Sequence, residues 1–137
     1  MRIENLNFDK NSKNFETEFH LSDEKYFLTL CDFKENEIEK ATQFAGKIVK
    51  WLNININKVK PYAASEMLEI KNDTWLEEDQ DPITTSEFVE GISMEGVTAF
   101  SDGSFETYFN DGDIFWGHSI VVGIDEEFNF TNADISG

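Results

Sequence analysis

The chain changes hydrophobic period twice, and those changes divide it into three stretches. Near the start, Phe15, Thr17, Phe19 and Leu21 alternate with Asn14, Glu16, Glu18 and His20, the pattern of a strand with one buried and one wet face. Residues 22–25, Ser-Asp-Glu-Lys, make a turn, and the run from Tyr26 to Phe33 is apolar on both faces, which predicts a more central strand. Residues 2–8 supply a weaker first strand with Leu6 and Phe8 inward, turned by residues 9–12. Together these predict a meander.

At Asn36 the period becomes helical. Ile38, Ala41, Ala45, Ile48, Val49 and Leu52 recur at three- and four-residue intervals, while Glu37, Glu39, Lys40, Lys47 and Lys50 fall on the other side. The NININ run at 53–57 alternates, and it reads as a linker or frayed helix end. A second helix is expected from Asn57 to about Trp75, because proline is tolerated in a helix's first turn and Pro61 would stand there. Val59, Tyr62, Ala63, Met67 and Ile70 would share its buried face. After the acidic loop EEDQDP, Thr84 and Glu87 form a capping box, with Ile83 and Phe88 placed as a hydrophobic staple. A short third helix should run from there to about Glu90 and end at Gly91.

From Met94 onward the strand period returns. Strands are expected over 94–100, 104–110 and 114–122, separated by SDG and NDGD turns that allow positive φ, with a further strand in FNFTNADI. In the third of these, Ile114, Trp116, His118, Ile120 and Val122 would share one face. The order βββ-ααα-βββ(β) predicts an α+β fold: an antiparallel sheet with two to three helices packed on one face, forming a single domain over residues 1–137.

Composition narrows the function classes. Twenty-eight acidic against eleven basic residues give a net charge of −17, spread from Glu4 to Asp134. Nucleic acid and anionic membranes are thereby disfavoured as partners, since phosphate contacts need clustered Lys and Arg and the chain has one arginine, Arg2. A field of this sign favours encounter with a basic protein partner. Cys31 is the single cysteine, so no internal disulfide forms, and in TLCDF it reads as a small buried hydrophobe. No window approaches a membrane span and the N-terminus lacks an apolar leader core, so a cytoplasmic location is expected.

The run DGDIFWGHSI, Asp111 to Ile120, concentrates the candidate chemistry. His118 with Asp113 could form an acid–base pair, and Gly117 could supply the bulge that strand alternation would require to bring them together. Against this stands a histidine simply hydrogen-bonded within the sheet. His20 shares a face with Glu16 and Glu18 but needs ligands from elsewhere to hold a metal, and NDGD lacks the terminal glutamate of a calcium loop, with Val121 at the twelfth position. There is no P-loop, no G-x-G-x-x-G and no G-x-S-x-G elbow, so no cofactor or metal is expected.

The segments NDTWLEED, ITTSEFVEGI, DGSFETYFNDGDIFWGHSIVV and NADISG resemble the bacterial domain-of-unknown-function family twenty-two sixty-two over roughly residues 60–137, and the earlier strands and first helix agree in general pattern. That resemblance implies no catalytic residues, since the family has no established activity. Small acidic proteins of this kind are also similar to immunity proteins that neutralise bacterial toxins. The sequence thus favours a non-enzymatic, acidic protein-binding module, immunity-type in its sharpest form, with Trp75, Trp116, Asp111 and Asp134 as binding residues. The alternative is a small enzyme or metal-binding domain centred on His118.

Overall fold

The computed structural model describes residues 3–76 and 80–136, with the backbone alone for residues 3–5. The acidic loop's Glu77, Glu78 and Asp79 lie outside the described residues. Three strands come first, β1 (Ile3–Asp9), β2 (Asn14–Leu21) and β3 (Glu24–Cys31). A 3-10 turn over Glu35–Glu37 leads into helix α1 (Ile38–Thr74), followed by helix α2 (Thr85–Gly91) and the strands β4 (Ser93–Phe100), β5 (Phe105–Asn110), β6 (Ser119–Ile124) and β7 (Phe130–Ser136). The seven strands form one sheet in sequence order, and the fold is α+β.

Three expectations are corrected. The sheet is mixed rather than wholly antiparallel. β3 and β4 run parallel because the chain between them crosses the helical layer and re-enters the sheet in the same direction, whereas every other neighbouring pair is joined by a hairpin or short loop. There are two α-helices, not three in the predicted arrangement, because residues 38–74 form one unbroken helix through NININ and Pro61. The reason is that the helical stripe never lapses: Leu52, Ile56, Val59, Ala63 and Met67 continue it, while Ile54 is left outside at 66% exposure and Ile38 and Ile70, expected on the buried face, are also exposed near the helix ends. The Asn55 side chain donates to the Trp51 carbonyl, and Pro61 takes an exposed position where the missing N–H affects the outer side of the helix. Lastly, β3 is interior to the sheet as expected, but only one of its faces is covered, and Phe27 is 65% exposed on the other.

A helix of 37 residues is about 55 Å long, more than the ~29 Å width of seven strands. α1 therefore reaches the whole sheet, touching β1 and β2 near one edge and β6 and β7 near the other. Its buried stripe from Ala41 to Met67 meets Phe15, Phe19, Leu28, Leu30, Phe105, Phe109, Ile120 and Val122, the inward residues of the strands. The capping box of α2 forms as read from the sequence: the Glu87 N–H donates to Thr84 Oγ1 at 3.2 Å, and Glu87 Oε1 accepts from the Thr84 N–H at 3.0 Å. Phe88 is fully buried and Ile83 packs beside the core, as the staple requires.

Candidate functional site

The connection from β5 to β6, residues 111–118, is an eight-residue loop where a tight turn and continuing strand were expected. Its cause is Asp111. This carboxylate is buried, at 2% exposure, and accepts four backbone N–H bonds: from Asp113 at Oδ1 (2.9 Å) and from Phe115, Gly117 and His118 at Oδ2 (2.9, 3.1 and 2.9 Å). The remaining loop donors are also taken, Gly112 by Asn110 Oδ1, Ile114 by the Asp111 carbonyl and Trp116 by the Asp113 carbonyl. Every N–H from Gly112 to His118 thus has a partner, and three of them converge on one oxygen. Backbone amides gathered in this way make a concavity suited to an anion, and here the anion is the loop's own side chain.

Such curvature requires left-handed backbone. Gly112 (φ 57°), Asp113 (65°), Trp116 (59°) and Gly117 (90°) all adopt it, which is incompatible with the alternation predicted for 114–122. The burial order is accordingly reversed: Phe115 is completely buried, whereas Trp116 is 52% exposed. Gly112 is required on two counts, since a Cβ there would also overlap the carbonyl oxygen of Gly91, the last residue of α2.

Phe115 anchors the loop between the helices, edge-on to Trp75 at 5.6 Å and to Phe88 at 6.2 Å. Trp75 is the residue that ends α1. Its N–H donates to the Lys71 carbonyl, and its own carbonyl accepts from Lys71 Nζ at 2.6 Å, so a buried lysine fixes the helix end. Next along the helix, the Asn72 amide grips Ile83 in both directions, Oδ1 accepting from its N–H at 2.9 Å and Nδ2 donating to its carbonyl at 3.1 Å. Trp116 and His118 then lie edge-on against Trp75, at 4.8 and 5.4 Å between ring centres.

The structure brings together four of the residues singled out from sequence, Asp111, Trp116, His118 and Trp75, and leaves two aside. Asp113 is exposed on the loop and makes no hydrogen bond to His118 among the described residues; the histidine's Nδ1 instead donates to the Phe115 carbonyl at 2.5 Å. A carbonyl can only accept, so Nδ1 carries the proton and Nε2 is left without a hydrogen-bond partner among the described residues. Asp134 is exposed on β7 opposite Val121, with Oδ1 taken by the Ile135 N–H, and shares no ring or hydrogen-bond contact with the cluster. No three His, Cys, Asp or Glu side chains converge as a metal site among the described residues. Lys71 and Asn72 escaped the sequence reading. Lys71 could have been noticed as a charge four residues beyond Met67 on the helix's apolar stripe.

Family comparison places this build in context. Residues 2–135 match the model of the family described as "Uncharacterized protein conserved in bacteria (DUF2262)". The chain belongs to DUF2262. The match reaches well beyond residues 60–137, and the matched residues take in β1 to β3 and all of α1 as well as the later strands. No curated protein and no solved structure matches the chain. For this DUF2262 member, the run DGDIFWGHSI is thus a self-organised loop that carries one tryptophan outward.

Proposed function

We propose that this DUF2262 protein is a non-enzymatic, acidic protein-binding module of the bacterial cytoplasm, with Trp116 as a contact anchor and a basic protein as partner. The observation that carries the reading is Trp116 itself. A bulky side chain in left-handed backbone costs about 1–2 kcal/mol, yet here such a residue is held outward by a fully satisfied loop. Strain of this kind persists where surrounding structure over-determines it, and an exposed aromatic on a rigid support is what an interface uses to gain contact area at small entropic loss. The net charge of −17 adds long-range attraction toward a basic partner. An immunity-type inhibitor of a basic toxin is the narrowest form of this reading.

Capture from lysate of a bacterium that encodes the protein, comparing wild type with Trp116→Asn, tests it. Asparagine tolerates the left-handed backbone, so the loop is kept while the anchor is removed. A basic protein retained by wild type and lost with Trp116→Asn supports the reading; equal recovery by both sinks it.

One observation favours a second reading, a small enzyme or metal-binding domain at His118: its ring is oriented by the Phe115 carbonyl, with no hydrogen-bond partner at Nε2 among the described residues. An NMR titration of the ring with added zinc or manganese tests this. Ring signals that respond to micromolar metal support it, and indifference to every metal together with loss of partner capture in Trp116→Asn decides for the binding module.

A further inference from the structure

We infer that the open face of the sheet, centred on Phe27, is a second docking surface that takes a lysine- or arginine-rich segment of a partner protein. The inference rests on the reading of the chain as a binding module but places contact on the face turned away from α1.

Strand register sets Glu18, Phe27, Gly96, Tyr108, Val121 and Asp134 in one row across β2 to β7. Second in that row, on β3, stands an exposed phenylalanine, although its chain neighbour Leu28 on the other face is 1% exposed. Beside it Gly96 has no side chain, and a Cβ added there would come within 3.0 Å of the Phe27 carbonyl oxygen. The result is a shallow concavity of about 300 Å³ floored by Gly96 and walled by Phe27, Tyr108, Glu95 and Ser119. An apolar wall with charge at its rim matches a side chain that has an aliphatic stem and a charged tip. Lysine or arginine can lay its methylenes along Phe27 and place its cation over the ring or on a carboxylate.

The rim decides the sign of the occupant. Glu16 and Glu18 on β2, Glu95 on β4, Glu106 on β5 and Asp134 on β7 border this face, while the cation contributed by β3, Lys25, is already paired with Glu18 at 3.1 Å. A second copy of the chain would bring like carboxylates together, and nucleic acid or an anionic membrane would be repelled. A basic polypeptide segment is the occupant whose charge complements the surface.

Selection of a random dodecapeptide library on immobilised wild-type protein at physiological salt, followed by affinity measurement of the selected peptides, tests the inference. The variants are Phe27→Ser, the triple Glu16→Gln/Glu18→Gln/Glu106→Gln, and Trp116→Asn, each checked for a wild-type thermal transition. The expected result is peptides rich in Lys or Arg that bind Phe27→Ser and the triple variant at least tenfold more weakly while Trp116→Asn keeps their affinity. Peptides that lose affinity only with Trp116→Asn would overturn the open-face inference and leave the binding-module reading standing. Peptides without basic enrichment, or with unchanged affinity for both face variants, would overturn the inference as well. Failure to recover any binder would count against both.

Discussion

Replacing Asp111 with alanine should be among the most damaging single changes in the protein, although the residue lies in a loop. The substitution removes one acceptor group from four backbone donors: Phe115 N–H is buried, while those of Asp113, Gly117 and His118 are partly accessible and regain some hydration. An orphaned buried donor costs roughly 1–3 kcal/mol, and the partly accessible ones less, so the sum is about 3–5 kcal/mol. For a chain of this length that corresponds to a fall in Tm of roughly 10–20 °C. Asp111→Asn should fall between, at about 2–3 kcal/mol, because the amide retains one acceptor oxygen but turns a donor toward another donor. Urea denaturation followed by tryptophan fluorescence measures the loss. Hydrogen exchange at residues 113, 115, 117 and 118 locates it, since those amides should lose protection first. An Asp111→Ala protein within about 0.5 kcal/mol of wild type, with the four amides still protected, would refute the view that this carboxylate organises the loop.

Gly112→Ala should destabilise by about 2–4 kcal/mol through its forced left-handed φ and its overlap with the Gly91 carbonyl, and should combine less than additively with Asp111→Ala in a double-mutant cycle of denaturation energies, because both disrupt one loop. Thr84→Ala should lose about 1 kcal/mol in the same assay by removing the acceptor for the Glu87 N–H; an unchanged midpoint would argue that α2 does not depend on its cap. Burial pushes the phenols of Tyr26, Tyr62 and Tyr108 up, helped by Glu24, Glu66 and Glu106 respectively. The folded state therefore favours their protonated forms; this stability is complete below the unfolded tyrosine value of about 10 and is lost as pH rises past it. Urea midpoints measured from pH 8 to pH 11.5 should stay level and then fall above about pH 10, with phenolate absorbance rising later in native than in unfolded protein.

How far sequence reveals this fold can be judged element by element. β2 was legible because its inward Phe15, Thr17, Phe19 and Leu21 face a single core, so alternation maps directly onto burial. The α2 cap was legible because its hydrogen bonds lie within four residues. The continuity of α1 was obscured by NININ and Pro61, which are poor local helix signals that packing along the Leu52–Met67 stripe overrides. The 111–118 loop departs from the strand pattern for a different reason. Its side chains can be laid out along a strand, with Ile114, Trp116 and His118 on one face, but its shape follows from a buried carboxylate that pulls four amides inward, and nothing in the residue pattern distinguishes a buried aspartate from a turn-forming one. Of the site, the residues were visible and the relationships were not: Trp75 meets Trp116 because α1 runs unbroken to its lysine-fixed end, which could not be foreseen from a chain read as two helices.

The most direct test of the central claim, that a loop ordered by Asp111 presents Trp116 to a protein partner, is site-specific photocrosslinking inside a bacterium that encodes the protein. A benzophenone-bearing amino acid is introduced at position 116 and, as a control of comparable exposure, in place of Ile54 on α1. The account predicts one dominant crosslinked protein of basic isoelectric point from position 116, absent from position 54 and lost when Asp111→Ala is added. Crosslinks that are absent at 116, the same at both positions, or unaffected by Asp111→Ala would contradict it.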